Sequence, residues 1–556
     1  RVGVHLGDVV ESQDDISGDA VNVASRIEPL AEEGGVCLTR QIYESTHGKL
    51  EMPMESMGMK SLKNVSDPME VYKMVMPWEK ENVESTQELD SRRVAVLPFT
   101  SMSPDPNDAY FADGVTEEII STVSGISGLE VISRTSVMGY KGTTKRVREI
   151  GKELEVGSVL EGSFRKSGSR IRITTQLIDV ARDRHLWAQS YDRTLDDVFA
   201  VQSDIAKQVA EALRVRILPQ EEKRIAKTPT ISSEAHELYL KGRYHWNERS
   251  KESILKAIDA FQSAVKVDPS FALAYSGIAD CYSVLADHEH MPRAEAYEKA
   301  YEFALKATQL DDTSAEAHAS LGFAAFGHSR DAKASEAEFR RSIELSPSYA
   351  SAYQWFAVIL AYTGREKASL EMGLRALELD PLSPQIATFA GIAYAGVENY
   401  DLAEKQFLRA LDLQPGFLPA LYNLTYTFWQ EGKFADAEKQ IEENFARDKN
   451  DYSHKLSLAI QYALTGRAAE ARAVLTDADA SPHLPHQYDF MRVLLYIALG
   501  EIDRAVSLTE EEFERDAGWI GTIGFDPLLA PIRSNPKVQS MLMRFGAPAV
   551  HTSTEH

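Results

Sequence analysis

The stretch GDAVNVASRIE at residues 18–28 sets an amide, Asn22, and a guanidinium, Arg26, four positions apart in a run that is otherwise small and apolar. Four residues is about one helical turn, so on a helix the two side chains share a face. The guanidinium is planar and permanently charged, which suits it to oxygen anions, and an amide can fix a polar group by donating and accepting at once. Two readings are open. Either this is a solvated face with Arg26 paired to Glu28, or it is a polar edge that meets a ligand. On the opposite side Val21, Ala24, Ser25 and Ile27 are expected to pack on a sheet. The helix follows VHLGDVVESQDDISGD, which reads as a strand, a glycine turn and an acidic loop.

The elements around that helix belong to a first segment, residues 1–75, in which short strands and helices alternate. GGVCLTR predicts a turn and a strand, RQIYESTHG a short helix, and DPMEVYKMV an alternating strand after a proline. Residues 76–91 are polar and aperiodic, the composition of a linker. Residues 92–218 restart with the strand RRVAVLPF, continue through an amphipathic helix, and end in strands divided by Ser167-Gly168 and Arg182-Asp183. That order predicts a small α/β domain with an antiparallel meander. Its basic run, Lys145, Arg146 and Arg148, reads as a solvated helix face, and Trp187, Tyr191 and Phe199 as core packing or the lining of a pocket.

Beyond residue 234 the pattern is helical throughout and periodic. Ala403, Ala437, Ala471 and Ala505 recur every 34 residues, as do Gly432, Gly466 and Gly500, and Pro347, Pro381 and Pro415. That period, with small residues between paired helices, glycine in the turn and proline at the second helix, is the tetratricopeptide signature. In phase it gives eight repeats over residues 238–519, entered through a linker and first helix at 219–237. One repeat cannot bury its apolar stripe alone, so stacking into an α-solenoid follows. Residues 520–547 read as a terminal cap and 548–556 as a disordered tail.

The 556-residue chain carries 60 basic and 84 acidic residues, a net −24. That argues against a nucleic-acid surface and against attraction to anionic lipid. Two distant cysteines, Cys37 and Cys281, allow no zinc spacing and suggest buried thiols in a reducing, cytoplasmic setting. No apolar run reaches the roughly 18–20 residues of a membrane span. The start at Arg1, directly on a strand-like run, suggests the remainder of a longer parent.

GVHLGDVVESQDDISGDAVNVASRIEPLAEEGGVCLTRQIYE, followed by LKNVSDPMEVYKM, resembles the C-terminal part of a class III nucleotidyl cyclase catalytic domain. The resemblance covers residues 1–75 and is closest to bacterial adenylate cyclases with further domains behind the catalytic one. It implies that Asn22 orients the ribose of ATP, that Arg26 binds triphosphate oxygens and stabilises the transition state, and that Asp15, seven residues before Asn22, selects adenine. It also implies two divalent metal ions, Mg or Mn. Their aspartate ligands lie N-terminal to Arg1 in the family pattern, so no metal ligand is expected in this chain. Family sites form at a homodimer interface, each using metal ligands from one subunit and the Asn/Arg pair from the other. The chain alone is therefore expected to be inactive.

RVAVLPFTSMSPDPNDAYFADGVTEEI and GSVLEGSFRKSGSRIRITTQLIDVARDRHLWAQSYDR resemble the N-terminal α/β domain of TolB-like proteins, which carries no catalytic motif. The repeats are expected to bind a peptide or protein in their groove, which Trp246, Trp355, Trp429 and Tyr426 could line. Positions that carry Lys and Asn in carboxylate-clamp repeats hold Gly242, Ser276 and Ala319 here, so that mode is not expected. The resulting expectation is a multidomain α+β and all-α protein: a partial cyclase domain, a TolB-like domain and an α-solenoid serving an adenylate cyclase. The competing expectation is a non-enzymatic scaffold whose cyclase remnant dimerises or senses nucleotide. A transcription regulator is disfavoured, because residues 1–75 hold no basic recognition helix.

Overall fold

The computed structural model describes residues 1–12, 15–31, 35–46, 50, 54–63, 65, 68–74, 89–103, 109–288, 290–447, 452–479, 488–515, 518–524 and 526–545. Most of the expected linker and the whole expected tail lie outside the described residues. The chain divides into two units, residues 1–89 and 90–556.

The first unit is a four-stranded sheet in the order β1 (Val2–Val4), β4 (Val36–Thr39), β6 (Met69–Met74), β5 (Met54–Lys60). β1 and β4 are parallel, and a parallel pair needs a crossover, which α1 (Asp19–Ile27) supplies. β6 runs antiparallel to both neighbours. After β4, α2 (Arg40–Thr46) lays Tyr43 flat on Tyr72, with ring centroids 4.0 Å apart. A separate hairpin, β2 (Val10–Ser12) with β3 (Asp15–Ser17), precedes α1 and sets Ser12 opposite Asp15. Val23, Ile27, Ala31, Cys37, Leu62 and Val71 form the core between helix and sheet.

The second unit opens with an α/β domain. Its sheet runs β12 (Arg184–Thr194), β11 (Arg170–Asp179), β10 (Ser158–Ser167), β7 (Arg93–Val96), β9 (Glu130–Val131), with short β8 (Thr100–Ser101) also on β10. β10 to β12 form the expected meander, with Gly168 and Asp183 both at positive φ in its turns. On β11, Ile171, Ile173, Thr175 and Leu177 are buried at alternate positions, the period of a strand with one covered face. α3 (Ala109–Ser124) and α6 (Val198–Ala212) are this domain's longest helices. The strand expected over LEVISR is only two residues long, because Ser133 leaves the sheet and donates its N–H to the Leu379 carbonyl, 2.8 Å away.

Among the described residues, sixteen helices from Ser233–Glu248 to Ile502–Glu514 pair into eight helical hairpins. The alanine ladder is fully buried at 403, 437, 471 and 505. Gly432, Gly466 and Gly500 hold left-handed φ of 73–79°, which glycine adopts without steric cost. No described helix is long and apolar enough to cross a membrane.

Two of the chain's own segments cover the face formed by the first helices of the repeats. α3 lies on the helix Ser233–Glu248 so closely that a Cβ at Gly114 would stand 2.7 Å from Leu240. Glu117 accepts from Arg243 at 2.7 Å, and Arg134 reaches the same carboxylate at 3.0 Å. Glu118 meets His236 at 2.7 Å, and Ser121 donates to Glu316 at 2.5 Å. Further along, the Ser136 N–H donates to buried Asp380 at 3.0 Å, and Arg375 pairs with Glu130 at 2.7 Å. Behind the last repeat, the chain packs on Ile502–Glu514 as a cap should, but it also folds back along the solenoid. Asp526 accepts from Tyr426 at 2.8 Å, and Phe545 stacks edge-on with Phe326, centroids 6.1 Å apart. The cap is thus a filler of the solenoid's inner face as well as an end.

Candidate functional site

The position of α1 is set by two glycines and three apolar residues. A Cβ at Gly3 of β1 would collide with the Ala24 carbonyl oxygen and stand 2.7 Å from the Glu28 nitrogen. One at Gly7 would lie 2.9 Å from the Ala20 Cβ. Helix and strand therefore meet backbone to backbone, with Ala20, Val23 and Ile27 buried beneath. The expected packing face was turned too far: Val21 and Ala24 are half-buried, and Ser25 is exposed, its hydroxyl donating to the Asn22 carbonyl at 2.9 Å. At 100° per residue Ser25 lies nearly opposite the buried stripe 20-23-27, and 22-26 falls about 110° around from it, on the exposed flank. Gly3→Val should lower the first unit's melting temperature by several degrees, from a clash of about 1–3 kcal/mol, and leave the second unit's transition unchanged in a calorimetric scan.

Asn22 and Arg26 are both exposed on the face of α1 turned away from that core. Among the described residues, Arg26 makes no ion pair with Glu28 or with any other group, and neither side chain spends its donors on the fold. An amide and a guanidinium thus stand on one turn with their donors open to solvent. Asp15 opens β3, which runs through Ser17 and Gly18 into α1; its side chain lies outside the described residues. Gly18, at φ +139° with a Cβ position only 3.0 Å from the Asp8 carbonyl, makes the corner that joins hairpin to helix. Strand, corner and helix thus place Asp15, Asn22 and Arg26 on consecutive elements.

Among the described residues no group of three or more His, Cys, Asp and Glu side chains could hold a metal ion. Cys37 and Cys281 are both buried.

In the second unit, Trp246, Trp355 and Phe199 line one large cavity between the α/β domain and the repeats. Trp429 instead donates its indole N–H to Gln461 at 2.8 Å inside the solenoid, and Tyr426 holds the C-terminal segment. Tyr191 is buried and donates to Asp204 at 2.7 Å. Lys145 pairs with Glu153, and Arg148 donates to the Ala181 carbonyl, so the basic run stays within its own domain. Nothing local in the chain announces the Glu117–Arg243–Arg134 cluster, whose members lie up to 126 positions apart.

Comparison with known proteins follows the same division. Residues 90–208 match the family described as HilA/YgeH-like transcriptional regulator, second domain. The chain is 39% identical over 289 residues to "Putative adenylate cyclase 3" of Rhizobium meliloti (strain 1021), covering 50% of this chain and 49% of that protein. It is 25% identical over 298 residues to the transcriptional regulator HilA of Salmonella typhimurium (strain LT2), covering 52% and 51%. The chain spans about half the length of the curated relatives it matches. Among solved structures it is similar to YrrB, a tetratricopeptide protein with an unusual peptide-binding site, at 24% identity and TM-score 0.23, over 33% of this chain and 89% of that one.

Proposed function

We propose that the chain serves a class III adenylate cyclase, which converts ATP to 3′,5′-cyclic AMP and pyrophosphate, and that residues 1–75 contribute its nucleotide-facing edge. The observation that carries this reading is the exposed Asn22–Arg26 pair, without a side-chain partner among the described residues, on a helix whose other face is locked to the sheet. The 39% identity to an adenylate cyclase homologue supports it. Asn22 orients the ribose and so favours attack of the 3′ hydroxyl; Arg26 takes up the charge that moves onto the leaving phosphates. Asp15 accepts from the adenine amino group. In this reading, as the family resemblance implies, the ligands of the two metal ions come from outside residues 1–75 and the active form is a cytoplasmic homodimer. In a complete catalytic domain that contains residues 1–75, Asp15→Ala should shrink the preference for ATP over GTP by about tenfold or more. An unchanged preference in a nucleotide-selectivity assay would remove Asp15 from the site.

The α/β domain and the repeats act in this reading as a regulatory and protein-interaction module. The TolB-like resemblance and the regulator match fall on the same segment, which supports a module that works behind different outputs. That match also favours a second reading, a non-enzymatic interaction protein whose cyclase remnant dimerises or senses nucleotide. Because α3 and the C-terminal segment already cover much of the repeats' inner face, a peptide partner has to use what remains or displace them. The readings separate on one assay: cyclic AMP from the complete parent supports the first, and its absence in a folded parent supports the second.

A further inference from the structure

The α/β domain does not fill the inner face of the repeats completely. Between them lies a cavity of about 1260 Å³, walled by the first helices of the repeats, by α3 and the Ser133–Thr135 turn, and by Trp519 of the C-terminal segment. Pockets that hold small ligands typically measure about 300–1,000 Å³, so this space has room for one. Its aromatic wall includes Trp246, Tyr349, Trp355 and Phe323.

The cations of the wall are nearly all accounted for by the protein itself. Arg134 and Arg243 share Glu117, Arg224 donates to the Gly125 carbonyl, Lys227 pairs with Asp311, and Arg293 pairs with Asp287. Arg249 is the exception. It lines the cavity and is exposed to it, and among the described residues its side chain meets no carboxylate and no carbonyl. Its guanidinium lies flat over the Trp246 indole, 3.5 Å from the ring centroid, which fixes its direction while leaving its donors open. The backbone at Arg249 is the left-handed cap that ends the helix Ser233–Glu248, at φ +60°. The protein atoms around the cavity strip bulk water from the guanidinium, and this desolvation, with the like charge of Arg243, presses its pKa down to about 10. In the same wall Asp280 is buried, takes only the Ser320 hydroxyl at 2.6 Å, and is pushed up to about 6 by burial. Its free acceptor capacity suits a donor group on the same ligand. The Trp246 indole N–H is likewise buried without a partner.

We infer that this cavity binds a small organic anion with a planar ring, its anionic group held by Arg249, its ring among the aromatic wall residues, and a donor group directed to Asp280. Purine nucleotides and aromatic carboxylic acids share this chemistry. The cavity is built from residues of the second unit, and the inference does not depend on the cyclase reading.

The test is isothermal titration of the full chain with 3′,5′-cyclic AMP in one arm and indole-3-acetate in the other. At least one arm should saturate at about one site per chain. Arg249→Gln should weaken that binding by about tenfold or more, the loss expected for a charge-assisted contact. Arg467→Gln, which alters an arginine stacked on Tyr462 elsewhere in the solenoid, should leave it unchanged. Arg249→Asn, which accepts the left-handed backbone more readily, should show the same loss. A measurement on the unaltered chain guards against misfolded variants: the bound probe should protect Arg249 from phenylglyoxal, read by mass spectrometry. The inference is overturned if neither probe saturates below about 1 mM, or if Arg249 reacts equally with and without the probe. Folded Arg249 variants that bind as the parent does would overturn it as well.

Discussion

Arg26→Ala, placed in a complete catalytic domain that contains residues 1–75, is expected to lower turnover of ATP by about 10²- to 10³-fold with little change in KM. The magnitude follows from what the residue is free to do. Among the described residues its guanidinium is uncommitted and exposed, so removing it leaves the fold of α1 intact. Ala20, Val23 and Ile27, together with the backbone contact at Gly3, still hold the helix. The lost interaction is one that strengthens as charge moves onto the leaving phosphates, so it should appear in kcat. Asn22→Ala should also act on kcat. A large rise in KM at constant kcat would assign Arg26 to ground-state binding only.

Glu117→Ala should produce the largest loss of stability in the second unit. Its carboxylate is the shared acceptor of Arg243, Arg134 and Asn247, and it ties the α/β domain to the first repeat. Burial opposes its ionisation, but Arg243 and Arg134 outweigh burial and hold the carboxyl below its usual range. Removing it strands two guanidiniums in a largely buried seam, a change that costs about 3–5 kcal/mol. The expected result is a marked fall in the melting temperature of the second unit and early proteolytic release of the α/β domain. The pH dependence has a definite sign. A depressed carboxyl stabilises the folded state fully above its unfolded pKa, and that contribution fades as pH falls through the lower folded value. The seam should therefore loosen in acid, below about pH 4.5, and Glu117→Ala should flatten that acid limb of the melting curve. A variant that melts and digests like the parent would show that the cluster contributes little.

The periodic parts of this chain were readable without coordinates. Alanine, glycine and proline at a 34-residue interval specify helical hairpins locally, because each residue type answers a local demand: close approach, a left-handed turn, a helix stop. The Asn22–Arg26 pair was readable for the same reason, since one helical turn decides which side chains share a face. What escaped was the contact between distant segments. Glu117 and Arg243 each look like an ordinary charged residue on an amphipathic helix, and nothing local tells either of them that the other exists. The covering of the repeats' inner face by α3 and the C-terminal segment was hidden likewise, as was Arg249, whose lack of a partner appears only once every other cation around the cavity has been paired. On α1 the small size of Ser25 concealed its exposure; the helix turn settles it.

The central claim is that residues 1–75 present a working Asn22–Arg26 edge to a nucleotide whose metal ions are held elsewhere. It is tested most directly by mixing. A complete class III catalytic domain carrying the substitution equivalent to Arg26→Ala keeps its metal ligands but lacks the arginine. Purified chain 1–556, added to that domain with ATP and Mn²⁺, should restore cyclic AMP formation through mixed dimers, while the chain alone forms none and chain bearing Arg26→Ala restores none. Cyclic AMP from the unmixed chain, or equal restoration by the Arg26→Ala chain, would contradict the account.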